Sequence, residues 1–139
     1  MMKIFSLAII TILFTVNLCG QNLLGYKPLK VEKYMRKNHS GLIKDNNTSN
    51  EYYDYLKYTD GTAGTSTVYF FFSEDNTCRL VKSMYVYSMK DEVEEELDRL
   101  YTRTGNSRWS DSRGRVNALI ELKDEEWFFT VNIEPESKE

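Results

Sequence analysis

Few residues of this chain have chemistry to offer. His39 is its one histidine, set in a polar stretch from Asn38 to Asn50, and Cys78 is one of two cysteines. Nucleophilic catalysis needs a base within hydrogen-bond reach of the nucleophile. No Gly-x-Ser-x-Gly turn offers a serine, and no thiol-protease signature surrounds Cys78. His39 therefore reads as a solvated loop residue. Cys78 reads as a small buried hydrophobe, or as a free thiol able to pair with another chain. A single imidazole excludes any site that needs two.

Carboxylates are densest in Asp91-Glu92, Glu94-Glu95-Glu96 and Asp98. Such groups hold a metal or share acid–base roles only when they converge in a concave site. At helical spacing Val93, Leu97 and Leu100 point inward, so these carboxylates spread over a solvent face, several of them where the helix dipole favours negative charge. No Asp-x-Asp-x-Asp-Gly loop is present to bind calcium. Arg99, Arg103, Arg108, Arg113 and Arg115 follow, with Trp109 among them. Basic residues interleaved with an aromatic can bind an anionic surface, but so close to the carboxylates they are better placed for cross-pairing.

The aromatic strands are the unusual feature. In Val68-Tyr69-Phe70-Phe71-Phe72 both strand faces are apolar, because successive side chains alternate. Tyr85 and Tyr87 share one face of the neighbouring strand, and Tyr52, Tyr53, Tyr55 and Tyr58 add more rings. A sheet covered by helices on one side needs a single apolar face. The second needs a cover: the 38–50 loop, another copy of the chain, or a partner. Tyr69, Phe71, Tyr85 and Tyr87 are thus the candidate binding residues, since Tyr and Phe bury large area at little rotamer cost.

The elements that must position them follow from periodicity. Residues 27–38 predict a short helix, with Pro28 at its first position and Val31, Tyr34 and Met35 on one face. Strands are expected over 51–59, 65–73 and 78–87, punctuated by turns at 60–64 and 74–77. Ser88 is the expected N-cap of a second helix over 89–102. A short edge strand around Arg108-Trp109 and a hairpin of 114–122 with 126–133 complete the chain. The hairpin's inward set is Ala118, Ile120 and Leu122, then Trp127, Phe129, Val131 and Ile133. The expected fold is α+β: an antiparallel sheet with two short helices on one face, in an order that permits duplicated helix-strand-strand units.

The first twenty residues read as an address. Lys3 supplies a positive start, and Ile4–Val16 is nearly all apolar but too short to span a bilayer comfortably. Gly20 is the small residue a signal peptidase needs, so cleavage would leave Gln21 first. That organisation is a signal peptide over 1–20 and one domain over 21–139, exported to the periplasm or the medium. Cys19 offers an alternative, acylation and anchoring in the envelope, although Leu18 stands where a lipoprotein signal has a small residue.

With 18 Lys+Arg against 21 Asp+Glu and a pI near 5.3, the chain lacks the basic field of a general nucleic-acid binder. Contact with a membrane is expected only if Cys19 is lipidated.

Leu24-Gly25-Tyr26-Lys27-Pro28-Leu29-Lys30-Val31 resembles the opening of small exported helix-then-strands modules. These are the PepSY-like and β-lactamase-inhibitor-like domains and the small envelope-assembly lipoproteins. The resemblance ends at Met35 and implies a non-catalytic binding or scaffolding role. The expectation from sequence is therefore a protein that binds rather than catalyses, without a cofactor, through an aromatic sheet face. Its partner is another protein or a second copy of itself. A lipid-anchored assembly subunit and a small-ligand carrier are the alternatives.

Overall fold

The structure, a computed structural model, describes residues 22–45, 54–61 and 65–137. The leader over 1–20 with Cys19, the residue Gln21, and the rings of Tyr52 and Tyr53 lie outside the described residues. The first helix, α1 (Pro28–Asn38), starts where the fixed φ of proline suits a first turn, and buries Val31 and Met35 one turn apart. Arg36 and Lys37 in its last turn suit the negative end of the helix dipole. Four strands follow: β1 (Ile43–Lys44), β2 (Asp54–Thr59), β3 (Ser66–Phe72) and β4 (Cys78–Tyr85). The second helix, α2 (Lys90–Leu100), leads into β5 (Thr102–Gly105), β6 (Arg108–Asp111), β7 (Ala118–Asp124) and β8 (Phe129–Pro135).

These strands form one eight-stranded antiparallel sheet in the order β1-β2-β3-β4-β8-β7-β6-β5. Each half is thus a helix followed by a four-stranded meander, and the two meet where β4 pairs with β8. One core row crosses six strands in register: Leu56, Phe70, Val81, Ile133, Ile120 and Trp109. All six are buried, together with Val31 and Met35 of α1 and Val93 and Leu97 of α2. Full burial of each large side chain contributes about 1.5–3 kcal/mol.

The segment before α1 is pinned to β4. Gly25 N–H donates to the Cys78 carbonyl and Cys78 N–H to the Tyr26 carbonyl, both at 2.8 Å. Gly25 has φ +84°, and a Cβ there would press on Val116 Cγ2 at 3.1 Å. Glycine adopts that backbone at no steric cost, whereas a side chain there would be strained.

Several local expectations need correction. Ser88 does not cap α2, because a 3-10 turn over Tyr87–Met89 runs straight into the helix and leaves no extended capping residue. The helix ends at Leu100, where Tyr101 turns extended and feeds β5, an edge strand that periodicity missed. The strand of Arg108 and Trp109 is therefore an inner one. Ile43–Lys44 adds a further short strand inside the polar loop. The last hairpin turns over Glu125–Phe128, so Trp127 sits at its tip, 79 % exposed, instead of pointing inward.

Candidate functional site

Both helices pack on one face of the sheet. No helix or strand among the described residues lies over the other. That face, open in this sense among the described residues, is built from the alternate residues of the same strands. Its aromatic part is Tyr55 of β2 with Tyr69 and Phe71 of β3, all half-buried. Tyr55 stands directly opposite Phe71 in the ladder. Tyr69 and Phe71, two residues apart, stack with centroids 5.8 Å apart, and the Tyr55 ring lies 5.9 and 6.1 Å from them.

Cations edge this cluster. Lys57 Nζ stands 5.6 Å from the Tyr69 ring centroid and the Arg79 guanidinium 6.0 Å from that of Phe71, within cation–π range. Register extends the pattern, for Lys57, Tyr69, Lys82, Asn132, Glu121 and Arg108 follow one another across six strands. Leu80 and Met84 add apolar surface beside Lys82. Asp45 lies 3.7 Å from Lys57, and Glu121 3.9 Å from Arg108. The aromatic end of the face thus carries Lys57, Arg79 and Lys82, with Asp45 beside Lys57, on a chain whose net charge is −3.

Of the four candidate binding residues, two share this face. Tyr85 is 3 % exposed and stacks on Phe129 in the core, centroids 5.4 Å apart. The physical reason is a bulge. Pairing that ran on unbroken from Phe72–Cys78 would set Tyr85 opposite Thr65, on the side of Tyr69. The ladder instead shifts at Arg79, so Phe71 meets Leu80 and Tyr85 meets Ser66. A one-residue slip turns every later side chain to the other face. Tyr87 has left the strand for the 3-10 turn and donates its hydroxyl hydrogen to the Glu125 carbonyl. Lys57, Arg79 and Lys82 were not singled out in the sequence; their signal is cross-strand pairing, which register alone reveals.

The remaining chemistry falls into place. Cys78 is buried, its thiol bonds to the Leu80 carbonyl, and burial pushes its pKa up to about 12. Its backbone is tied to Tyr26 just before α1, whereas His39 caps the far end of that helix, about 16 Å along its axis. His39 is no solvated loop residue. It is half-buried against the Tyr34 ring, and burial lowers its pKa. The acidic cluster lies on the outer side of α2, and among the described residues no group of three His, Cys, Asp or Glu is placed to hold a metal. The arginines do cross-pair: Arg99 with Glu96, Arg103 with Asp98, Arg113 with Asp111.

Comparison with known proteins finds no family model, no curated protein and no solved structure that matches this chain. No helix among the described residues is long and apolar enough to cross a membrane.

Proposed function

We propose that this chain is an exported, non-catalytic binding module that docks a protein partner on the open face of its sheet. The observation that carries the reading is the Tyr55–Tyr69–Phe71 cluster, set on a face that neither helix covers and edged by Lys57, Arg79 and Lys82. Aromatic rings are enriched in the cores of protein interfaces, with charged residues at the surrounding rim. The partner that fits is a segment with carboxylates spaced among apolar side chains, the first for the cations and the second for the rings.

A second copy of the chain fits less well. Its acidic surface is the outer side of α2, which buries its apolar residues inward and offers charge without apolar area. Such a head-to-tail contact would also build a ring or an open-ended polymer, not a closed dimer. Export rests on the apolar run Ile4–Val16 and the small residue Gly20. Anchoring through Cys19 is the alternative. An intact mass starting at Gln21 supports a free exported chain, and an acylated chain starting at Cys19 supports the anchor.

The test of docking is a Tyr69→Ser/Phe71→Ser chain compared with wild type for capture of an identified acidic partner from the source cells. Loss of capture with an unchanged circular-dichroism spectrum supports the reading. Undiminished capture contradicts it.

A further inference from the structure

On the opposite side of the molecule, separate from the open face, α1 and the β1–β2 edge enclose a cleft of about 430 Å³. That volume lies within the range of small-ligand sites, roughly 300–1,000 Å³. Its apolar lining is Met35 and Leu42, with the ring of Tyr58, which stands edge-on to Phe70. Its polar lining comes from Glu32 and Arg36 of α1, Ser40 just after it, Lys44 of β1 and Tyr58 of β2.

The charges in this cleft are not balanced. Glu32 is taken by Lys44 in an ion pair. Arg36 is left with no carboxylate at ion-pair distance among the described residues, and it shares the cleft with Tyr58. The Tyr58 phenol, 5 % exposed, keeps its proton up to about pH 12 because of burial and the nearby Glu32 carboxylate, so it is a standing donor. His39 closes one side, and burial favours its neutral ring, so among the described residues the cleft's positive charge without an ion pair is that of Arg36. Its Nε2 is enclosed without a hydrogen-bond partner among the described residues.

We propose that this cleft binds a small organic carboxylate, its anionic end held by Arg36 and the Tyr58 hydroxyl and its apolar body against Met35 and Leu42. One unpaired guanidinium matches a single negative charge with two hydrogen bonds. A phosphate, bearing more charge and no apolar body, uses only half of the lining.

His39 makes the test direct, because the only histidine gives one set of imidazole resonances at the cleft wall. Full-length protein labelled at histidine is titrated by NMR with hexanoate, hexanol and inorganic phosphate. Hexanoate is expected to shift the His39 resonances saturably. Hexanol, without the charge, and phosphate, without the apolar body, are expected to bind at least tenfold more weakly. Arg36 is exposed, so Arg36→Ala leaves the fold intact, and it is expected to weaken hexanoate about ten- to a hundredfold. Tyr58→Phe, which keeps the packing, is expected to weaken it by a smaller factor. No saturable shift with hexanoate overturns the proposal, as does equal affinity in Arg36→Ala. Phosphate binding as tightly as hexanoate overturns the assignment of an organic ligand.

Discussion

Trp109 donates its indole N–H to Asp98 Oδ1 at 2.9 Å, and so ties β6 to the outer edge of α2. The same carboxylate receives Arg103 Nε at 2.8 Å, and the Arg103 guanidinium lies 4.6 Å from the centre of the Trp109 ring. Three elements of the second half therefore meet at one indole that is fully buried at the end of the core row. The first half is held differently, by Val31 and Met35, by the Gly25–Cys78 pairing and by the exposed Glu32–Lys44 ion pair between α1 and β1.

The two tryptophans should differ sharply. Trp109→Ala is expected to cost about 3–5 kcal/mol, the range for emptying a large buried aromatic site. Trp127→Ala, at an exposed hairpin tip, is expected to stay within about 0.5 kcal/mol of wild type. Urea unfolding of both variants checks this, and similar losses would contradict the placement of the last turn.

The tyrosines divide in the same way. Tyr85→Ser removes a core ring stacked on Phe129 and is expected to cost about 3 kcal/mol or more. Tyr69→Ser, on the open face, is expected to cost about 1 kcal/mol or less. The reverse order would mean that the Arg79 bulge is misplaced and that Tyr69 faces the helices.

That bulge also marks the limit of what could be read from the residues alone. Both helices, the three long strands after Asp54 and the inward set Ala118, Ile120, Leu122, Phe129, Val131 and Ile133 were legible, because each follows a simple period of burial. Tyr69 and Phe71 were legible as a second apolar face for the same reason. Tyr85 was not, since one extra residue in a ladder leaves no trace in the period. The strands of Ile43 and Thr102 are short and exposed, so they have no apolar pattern to display. Lys57 and Arg79 join the site only through neighbours on other strands.

Acid should unfold the protein through specific carboxylates. Hydrogen bonds from Arg103 and Trp109 hold the Asp98 pKa below its ordinary 3.8. Burial would raise that of Asp111, but the hydrogen bonds from Asn22 and Arg113 outweigh it and bring it down. A depressed folded-state pKa means that the unfolded chain takes up the proton first. The stability each group contributes is therefore complete above pH 3.8 and lost as pH falls through the folded-state value. Asp111→Asn and Asp98→Asn are expected to lower stability at pH 7 and to flatten its fall below pH 4, as read by thermal unfolding across pH.

His39 acts in a higher window. Burial holds its pKa below 6.5, so the unfolded chain again binds the proton first. Stability should start to fall as pH drops below 6.5, before any of these carboxylates titrates. His39→Gln is expected to remove that first decline while leaving the one below pH 4. An unchanged slope between pH 6.5 and 5 would show that the ring is not desolvated.

In a Cys19→Ser chain, Cys78 is the only thiol. Buried and with its pKa raised to about 12, it should react with a thiol reagent only through opening of the fold. Its labelling rate at pH 8 is expected to rise at least a hundredfold in unfolding urea, in line with the small open population of a stable domain. Rapid labelling of the native chain would contradict its core position.

The measurement that tests the open-face account most directly is photo-crosslinking in the source cells. A benzophenone side chain is placed at position 69, on the aromatic face, or at position 95, on the outer side of α2. The account predicts a discrete adduct with an acidic protein from position 69, none from position 95, and loss of the adduct when Lys57→Glu and Arg79→Glu are added. An adduct from position 95 alone, or none from position 69 in chains that fold and reach their compartment, would contradict it.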